Sequence, residues 1–130
     1  MKAWDCIIVE DEPFAISLLV KYISERDELN LVGIAEEGNS LLTLLRERNA
    51  EIIFLDMKFP AEPGFLNDTL MANFLVVVVV SAIPWNMYDK VFKHPNLFEL
   101  PKPISCRLFN RCLDSIVSHL RSKTMDTNDT

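Results

Sequence analysis

The amino-acid sequence predicts an α/β domain whose strands form one doubly wound parallel sheet, covered by helices on both faces. Three observations lead to this class. The chain has 130 residues, which fits one domain of about 100–200 residues. Short apolar runs alternate with segments of helical periodicity along the whole chain. Several of the runs are apolar at consecutive positions, which is typical of strands buried on both faces.

The five apolar runs are the predicted strands. They occupy residues 6–9, 31–35, 52–55, 75–80 and 97–100. Residues 76–80 are five consecutive valines. Because β-branched side chains favour a pleated strand over a helix, this run is the predicted central buried strand.

The predicted helices lie between these runs and after the last one. The first begins near Pro13, followed by apolar residues at 15, 18, 19, 22 and 23. Asn39 and Ser40 precede a leucine-rich second helix, and residues 65–73 and 86–93 are two short ones. Ser105 can cap the last helix, whose apolar stripe occupies positions 109, 112, 113, 116, 117 and 120. The domain is predicted over residues 1–121, with residues 122–130 as a frayed polar tail or the start of a linker.

Composition limits the kinds of partner. The chain carries 13 Lys and Arg against 19 Asp and Glu, a formal net charge of −6. This balance disfavours binding to nucleic-acid phosphates, so we expect DNA contacts only through an output domain absent from this chain. The three cysteines lack metal-ligand spacing, no secretory segment is evident, and the longest apolar run is far shorter than the ~20 residues that span a bilayer. We therefore expect a cytoplasmic protein with no membrane contact.

Polar side chains follow the predicted strands at the points where the strands end. Glu10 and Asp11 follow the first strand, Asp56 the third, Ser81 the fourth and Lys102 the fifth. The carboxyl ends of parallel strands meet at one edge of the sheet, where ligands of such folds bind. We therefore expect these side chains to lie close together.

A cluster of carboxylates at that edge has a chemical consequence. Two carboxylates ~4 Å apart repel by roughly 4 kcal/mol at an effective dielectric constant near 20, and a single lysine does not neutralise three acids. Oxygen ligands of this kind favour Mg²⁺. An aspartate beside Mg²⁺ and a lysine is placed to attack a phosphoryl group. The residues therefore predict Mg²⁺-assisted phosphoryl chemistry.

Four motifs then carry a resemblance to a known family. They read IIVEDEP at residues 7–13, FLDMKFP at 54–60 with Gly64 beyond, VSA at 80–82, and KP at 102–103. In this order they resemble the receiver domain of bacterial two-component response regulators, over about residues 5–121. The segments around the first and third strands are most similar to receivers of LytTR-type regulators. The resemblance implies a flavodoxin-like sheet of order 2-1-3-4-5 with about five helices.

The resemblance also implies roles for individual residues. Asp56 would accept a phosphoryl group from the phosphohistidine of a sensor histidine kinase or a histidine phosphotransfer protein. The implied Mg²⁺ ligands are Glu10 through water, Asp11, Asp56 and the backbone carbonyl of Lys58. Ser81 and Lys102 would bind the phosphoryl group. The domain would catalyse its own phosphorylation and dephosphorylation while acting as a switch, and a homodimer is possible in this family.

The sequence departs from the family pattern around its expected switch. An aromatic residue often stands three positions before the lysine, but here that position is Glu99. We therefore assign the switch to Ser81 and Glu99, which would alter the face formed by the family's fourth helix, fifth strand and fifth helix. Trp85 and Tyr88 are the candidate partner-surface residues. The short spacing between Asp56 and Ser81 indicates a clipped third helix.

Three other functions stay open at this point. A pseudo-receiver would bind its partners constitutively, and Glu99 favours it. A Mg²⁺-dependent phosphohydrolase with an aspartyl nucleophile commonly has an acid two residues later, where this chain has Lys58. A flavodoxin-type cofactor binder would need a Ser/Thr/Gly-rich loop after the first strand. The acids at 10–12 could also serve only the amino terminus of the helix at Pro13.

Overall fold

The computed structural model describes residues 3–58, 64–88 and 92–128. In this part of the chain, strands and helices alternate. The strands are β1 (Trp4–Val9), β2 (Leu29–Ala35), β3 (Ile52–Asp56), β4 (Val76–Ser81) and β5 (Leu97–Pro101). The α-helices are α1 (Pro13–Ser24), α2 (Gly38–Glu47), α3 (Asp68–Met71) and α4 (Cys106–Asn128), and a 3-10 helix spans Trp85–Met87.

The five strands form one parallel sheet in the order β2-β1-β3-β4-β5. Both the predicted fold class and the predicted strand order are confirmed. The chain leaves β1 toward β2 on one side and continues with β3 on the other. The order therefore reverses beside β1, and parallel α/β sheets bind ligands at such a point.

Two apolar layers cover the faces of the sheet. On one face, Ile8 and Phe54 pack with α1 and α4, including Phe109. On the other face, Ile7 and Leu55 pack with α2 and α3. All of β3 and β4 is buried, so the runs of consecutive apolar residues correspond to strands covered on both sides.

The helices described between β3 and β5 are shorter than the predicted segments 65–73 and 86–93, although the close spacing of Asp56 and Ser81 had indicated a clipped third helix. Helix α3 has four residues, capped by Asn67, whose side-chain oxygen accepts a hydrogen bond from Leu70 N at 2.9 Å. Of the predicted helix 86–93, the described residues are helical only within the 3-10 turn at Trp85–Met87, after which Tyr88 is extended. Residues 89–91 lie outside the described ranges. The described part of the chain thus has four α-helices rather than about five.

Helix α4 is longer than we expected. Ser105 Oγ accepts a hydrogen bond from Leu108 N at 3.2 Å, as a cap should. The helix then continues to Asn128, through residues that we expected to fray from Ser122 onward. The reason is that residues 106–128 contain no glycine or proline, so propagation meets no obstacle once the helix has begun. The assignment of 122–130 to a tail or linker stays a prediction. No helix in the described ranges combines the length and hydrophobicity needed to cross a bilayer.

Two buried thiols should make the fold sensitive to alkaline pH. Burial raises the pKa of Cys6, with a smaller contribution from the Asp5 charge, and the pKa of Cys112, each from 9.0 to about 12. In the unfolded chain both thiols ionise near the ordinary value. Above pH 9 the unfolded state therefore binds fewer protons than the folded state, and the free energy of unfolding falls as pH rises toward 12.

We expect the Cys6→Ala/Cys112→Ala variant to lose less stability than the wild type between about pH 8 and pH 10, by roughly 2–3 kcal/mol. Urea denaturation at the two pH values measures this difference. Cys106→Ala is the matched control because Cys106 is exposed, and it should keep the wild-type slope. Equal slopes in all three proteins would contradict the prediction.

Candidate functional site

The carboxyl edge of the sheet collects the polar residues that follow the strands. Glu10 and Asp11 follow β1, Asp56 is the last residue of β3, and Ser81 is the last residue of β4. Lys102 follows β5 and is joined to β4 by a hydrogen bond from its N–H to Ser81 O at 2.8 Å. The sheet thus brings side chains that are far apart in sequence to one edge.

Three carboxylates lie together at this edge. One oxygen each of Glu10, Asp11 and Asp56 lies within 4.8 Å of the others. Glu10 and Asp56 are 1% and 4% exposed, whereas Asp11 is exposed. Two nearly buried acids and one accessible acid form a pocket that opens to solvent on the side of Asp11.

Lys102 is the cation that faces this acidic pocket. Its Nζ lies 2.9 Å from Glu10 Oε1, 3.6 Å from Asp56 Oδ1 and 3.9 Å from an oxygen of Glu12. Burial alone would lower the pKa of Lys102, but the bond to Glu10 and the charges of Asp56, Glu10 and Glu12 raise it overall. Lys102 therefore stays charged, and it is outnumbered by the acids around it.

The Glu10 carboxyl shows the effect of this imbalance. Burial raises its pKa, and the hydrogen bond and charge of Asp56 raise it further. Lys102 and the backbone N–H of Glu12 act in the opposite direction but do not cancel the increase. The pocket therefore favours an additional positive charge.

Backbone N–H groups fix the orientation of the two buried carboxylates. Glu10 Oε2 accepts hydrogen bonds from Asp11 N at 3.0 Å and Glu12 N at 3.3 Å. Asp56 Oδ1 accepts one from Lys58 N at 3.0 Å. Glu12 occupies the N-cap of α1 without a side-chain capping bond. The Glu12 side chain therefore does not cap α1, whereas Glu10 accepts bonds from the backbone N–H groups that directly precede this helix.

Ser81 is buried at the same edge, but its hydroxyl is turned toward its own loop. Ser81 Oγ donates a hydrogen bond to Ile83 O at 2.6 Å. Beside it, residues 81–84 and 99–101 line a cavity of about 360 Å³. The cavity separates the loop after β4 from the end of β5, and nothing in the sequence had indicated it.

Glu99, which lines this cavity, is bonded directly to Trp85. Glu99 Oε1 accepts a hydrogen bond from Trp85 N at 2.6 Å. The Trp85 ring packs against Phe92, with ring centroids 5.0 Å apart, and more loosely against Tyr88 at 6.3 Å. Trp85 and Tyr88 are thus half-buried in an aromatic cluster, while the neighbouring Met87 is 69% exposed.

Comparison with known proteins places this geometry in a family. No protein-family model matches the chain. The transcriptional regulatory protein MalR of Bacillus subtilis is 31% identical over 111 residues, which are 82% of this chain and 47% of MalR. A protein-glutamate methylesterase/protein-glutamine glutaminase of Shewanella oneidensis is 30% identical over 123 residues, 89% of this chain and 35% of that protein. An uncharacterized response regulatory protein of Vibrio cholerae is 24% identical over 131 residues, 98% of this chain and 50% of that protein.

Solved structures agree on the fold. The response regulatory domain of mrkE from Klebsiella pneumoniae has a TM-score of 0.70 at 20% identity, covering 91% of this chain and 98% of that one. A chain in the complex of the CheA3 P1 domain with CheY6 from R. sphaeroides has a TM-score of 0.66 at 14% identity. The match covers 94% of this chain and 97% of that one. The chain belongs to the receiver-domain family of response regulators. This receiver domain spans half or less of the length of the curated relatives named above.

The receiver fold brings most of the predicted site residues together. Glu10, Asp11, Asp56 and Lys102 form one pocket, and Ser81 borders it with its hydroxyl turned away. The Lys58 side chain is exposed, and the predicted role of its carbonyl stays a prediction, as do the partner roles of Trp85 and Tyr88. Residues 59 and 60 of the second motif lie outside the described ranges.

The sequence placed Glu12 beside Glu10 and Asp11 at this edge but assigned it no role, although it lies close enough to Lys102 to add to the negative charge around it. Sequence reasoning missed one contact of this receiver domain entirely. The bond between Glu99 and Trp85 joins residues from different elements and has no signal in the local sequence.

Proposed function

We propose that this receiver domain is a phosphorylation-dependent signalling switch in which Asp56 accepts the phosphoryl group. The donor is the phosphohistidine of a sensor histidine kinase or a histidine phosphotransfer protein. An Asp56 carboxylate oxygen attacks phosphorus, the new P–O bond replaces the P–N bond to histidine, and the released ring nitrogen takes up a proton from solvent. The observation that carries this proposal is the position of Asp56, 3.6 Å from Lys102 Nζ within a cluster of three carboxylates.

The donor set of the pocket fits Mg²⁺. All three clustered side chains offer carboxylate oxygens, which Mg²⁺ prefers. Burial and the neighbouring Asp56 raise the pKa of Glu10 despite the bond to Lys102, so a further cation would stabilise the ionised pocket. Asp11, Asp56 and the Lys58 carbonyl would hold the ion, with Glu10 acting through water. When bound, Mg²⁺ supplies charge that stabilises the phosphoryl oxygens during transfer.

Lys102 and Ser81 supply the chain's own contacts to the phosphoryl group. The Lys102 ammonium pairs with Glu10 and Asp56 and needs only a small displacement to reach an oxygen on phosphorylated Asp56. The Ser81 hydroxyl donates to Ile83 O, so binding a phosphoryl oxygen requires it to give up that bond. The loop after β4 then moves, and the surface formed by the 3-10 helix, β5 and α4 changes its affinity for partners.

The partners of the domain follow from this role. A kinase or phosphotransfer domain would contact the open side of the pocket near Asp11. The receiver matches half or less of the length of MalR and of the methylesterase, so those proteins have further domains. By analogy, the response of this switch, including any contact with DNA, would come from a further domain. The switch would act in the cytoplasm, and its β5 and α4 surface could also bind a second copy.

A constitutive interaction module is the second candidate function. The observation that favours it is Glu99, which occupies the usual aromatic position and is already bonded to the loop after β4. Such a module would bind its partners equally well with and without phosphorylation. The two candidates differ in whether Asp56 takes up phosphorus.

Incubation with Mg²⁺ and acetyl phosphate, followed by intact-mass measurement, tests the proposal. We expect the wild type to gain one phosphoryl group only when Mg²⁺ is present, and Asp56→Asn to gain none, since the amide is a poor nucleophile. Asp27→Asn, at an exposed turn, is the matched control and should behave as the wild type. A folded wild type that gains no phosphoryl group would support the constitutive module, and uptake by Asp56→Asn would exclude Asp56 as the acceptor.

A further inference from the structure

The loop after β4 is held at both ends by short hydrogen bonds. At its start, the Ser81 hydroxyl donates to Ile83 O at 2.6 Å. At its end, Trp85 N donates to Glu99 Oε1, also at 2.6 Å. Residues of the loop and of β5, including Ser81 and Glu99, line the cavity of about 360 Å³ between these elements. The loop therefore has space to move into and two bonds that oppose the movement.

The bond to Glu99 is well suited to resist such a movement. Glu99 lies within β5 and pairs with Val79 of the buried strand β4, so its backbone is fixed by the sheet. A carboxylate accepting from an N–H forms a shorter and stronger bond than a neutral acceptor. Trp85 also contacts Phe92 and Tyr88. Glu99 therefore holds the Trp85 backbone, while the Trp85 ring rests on Phe92, which belongs to the buried core.

We propose that the Glu99–Trp85 hydrogen bond, here named the Glu99 latch, keeps the loop after β4 in the conformation of the unphosphorylated domain. This inference rests on the proposed function. Phosphorylation draws the Ser81 hydroxyl away from Ile83 O and releases the start of the loop, while the latch still retains its end. The latch sets the fraction of the domain that adopts the active conformation, and opening it moves Trp85.

The latch can be tested without phosphorylation. Hydrogen exchange of the Trp85 amide, followed by NMR, should be about tenfold faster in Glu99→Ala than in the wild type, because the amide loses its acceptor. Glu99→Gln keeps an oxygen acceptor, so its Trp85 amide should exchange at a rate between those of the wild type and Glu99→Ala. Glu25→Ala removes the same charge from the exposed end of α1 and should leave the exchange unchanged. Equal exchange in the wild type and Glu99→Ala would overturn the latch.

The coupling to phosphorylation is tested with beryllofluoride, which mimics a phosphoryl group on aspartate. The chain has two tryptophans, so Trp4→Phe leaves Trp85 as the sole fluorescent indole. If this background does not fold, the indole N–H signal of Trp85 in the wild-type sequence gives the same information. Mg²⁺ and beryllofluoride should shift the Trp85 signal. Glu99→Ala should show that shift partly before beryllofluoride is added and bind it about 5–10-fold more tightly, since its competent state is more populated.

The outcomes separate the latch from the proposed function. Beryllofluoride binding of equal affinity in the wild type and Glu99→Ala, with an unchanged Trp85 signal, would overturn the latch and leave Asp56 as the acceptor. Absence of beryllofluoride binding in all folded variants would overturn the proposed function and its coupling to the latch. Tighter beryllofluoride binding by Glu99→Ala than by the wild type, with no such change in Glu25→Ala, would support both the latch and the proposed function.

Discussion

Lys102→Met should lower the free energy of unfolding by about 3 kcal/mol in the absence of Mg²⁺. The substitution keeps the methylene chain but leaves Glu10 and Asp56, both nearly buried, without the ammonium that lies 2.9 Å and 3.6 Å from their oxygens. Removing one partner of a buried ion pair typically costs 3–5 kcal/mol. We expect a loss at the lower end of this range, because the Lys102 side chain is 22% exposed and solvent screens part of its attraction to the carboxylates.

The same variant should be rescued by Mg²⁺. A cation that binds only the folded state stabilises it in proportion to its affinity, and the acidic pocket of Lys102→Met repels Mg²⁺ less than the wild-type pocket with its ammonium. Urea denaturation with and without Mg²⁺ measures both effects. Lys58→Met is the matched control, because its side chain is exposed although its backbone N–H contacts Asp56. It should change stability by no more than about 0.5 kcal/mol. Similar losses for the two lysines, or no response to Mg²⁺, would contradict this account of the pocket.

The fold class and the location of the site could be predicted because both depend on short-range patterns, whereas the strand order was implied by the resemblance to receiver domains. Five consecutive valines favour a strand buried on both faces, because they are β-branched and apolar at every position. Once the strands are parallel, their carboxyl ends must share one edge, so Asp11, Asp56 and Lys102 are brought together by topology. No knowledge of any side-chain conformation is required for that step.

What could not be predicted depends on contacts between distant segments or on the choice among local alternatives. The Glu99–Trp85 bond requires the register that pairs Val79 with Glu99, together with the path of the loop that precedes Trp85. The Ser81 hydroxyl can rotate toward either its own loop or the acidic pocket, and sequence does not distinguish the two. The continuation of α4 beyond Ser122 is a balance between helix propagation and fraying at a polar terminus.

Phe109→Ala should lower the free energy of unfolding by about 4 kcal/mol. Phe109 is fully buried on α4 and joins three elements, since its ring stacks on Phe54 of β3 with centroids 5.9 Å apart and contacts Tyr22 of α1 at 5.6 Å. Truncation loses the transfer free energy of the ring and leaves a cavity that β3 cannot collapse to fill, because that strand is paired on both sides.

This loss is a large share of the total stability of about 5–15 kcal/mol that a domain of this size has, so the urea midpoint of the variant should fall well below that of the wild type. Phe109→Leu should lower the free energy of unfolding by less than Phe109→Ala. It should therefore be fully folded without urea, so that its complete denaturation curve can be measured. Phe14→Ala makes the same truncation at a side chain that is 69% exposed and should stay within about 0.5 kcal/mol of the wild type. The urea midpoints of the three variants measure the effect. A midpoint for Phe109→Ala close to that of Phe14→Ala would mean that α4 does not anchor the strand that ends at Asp56.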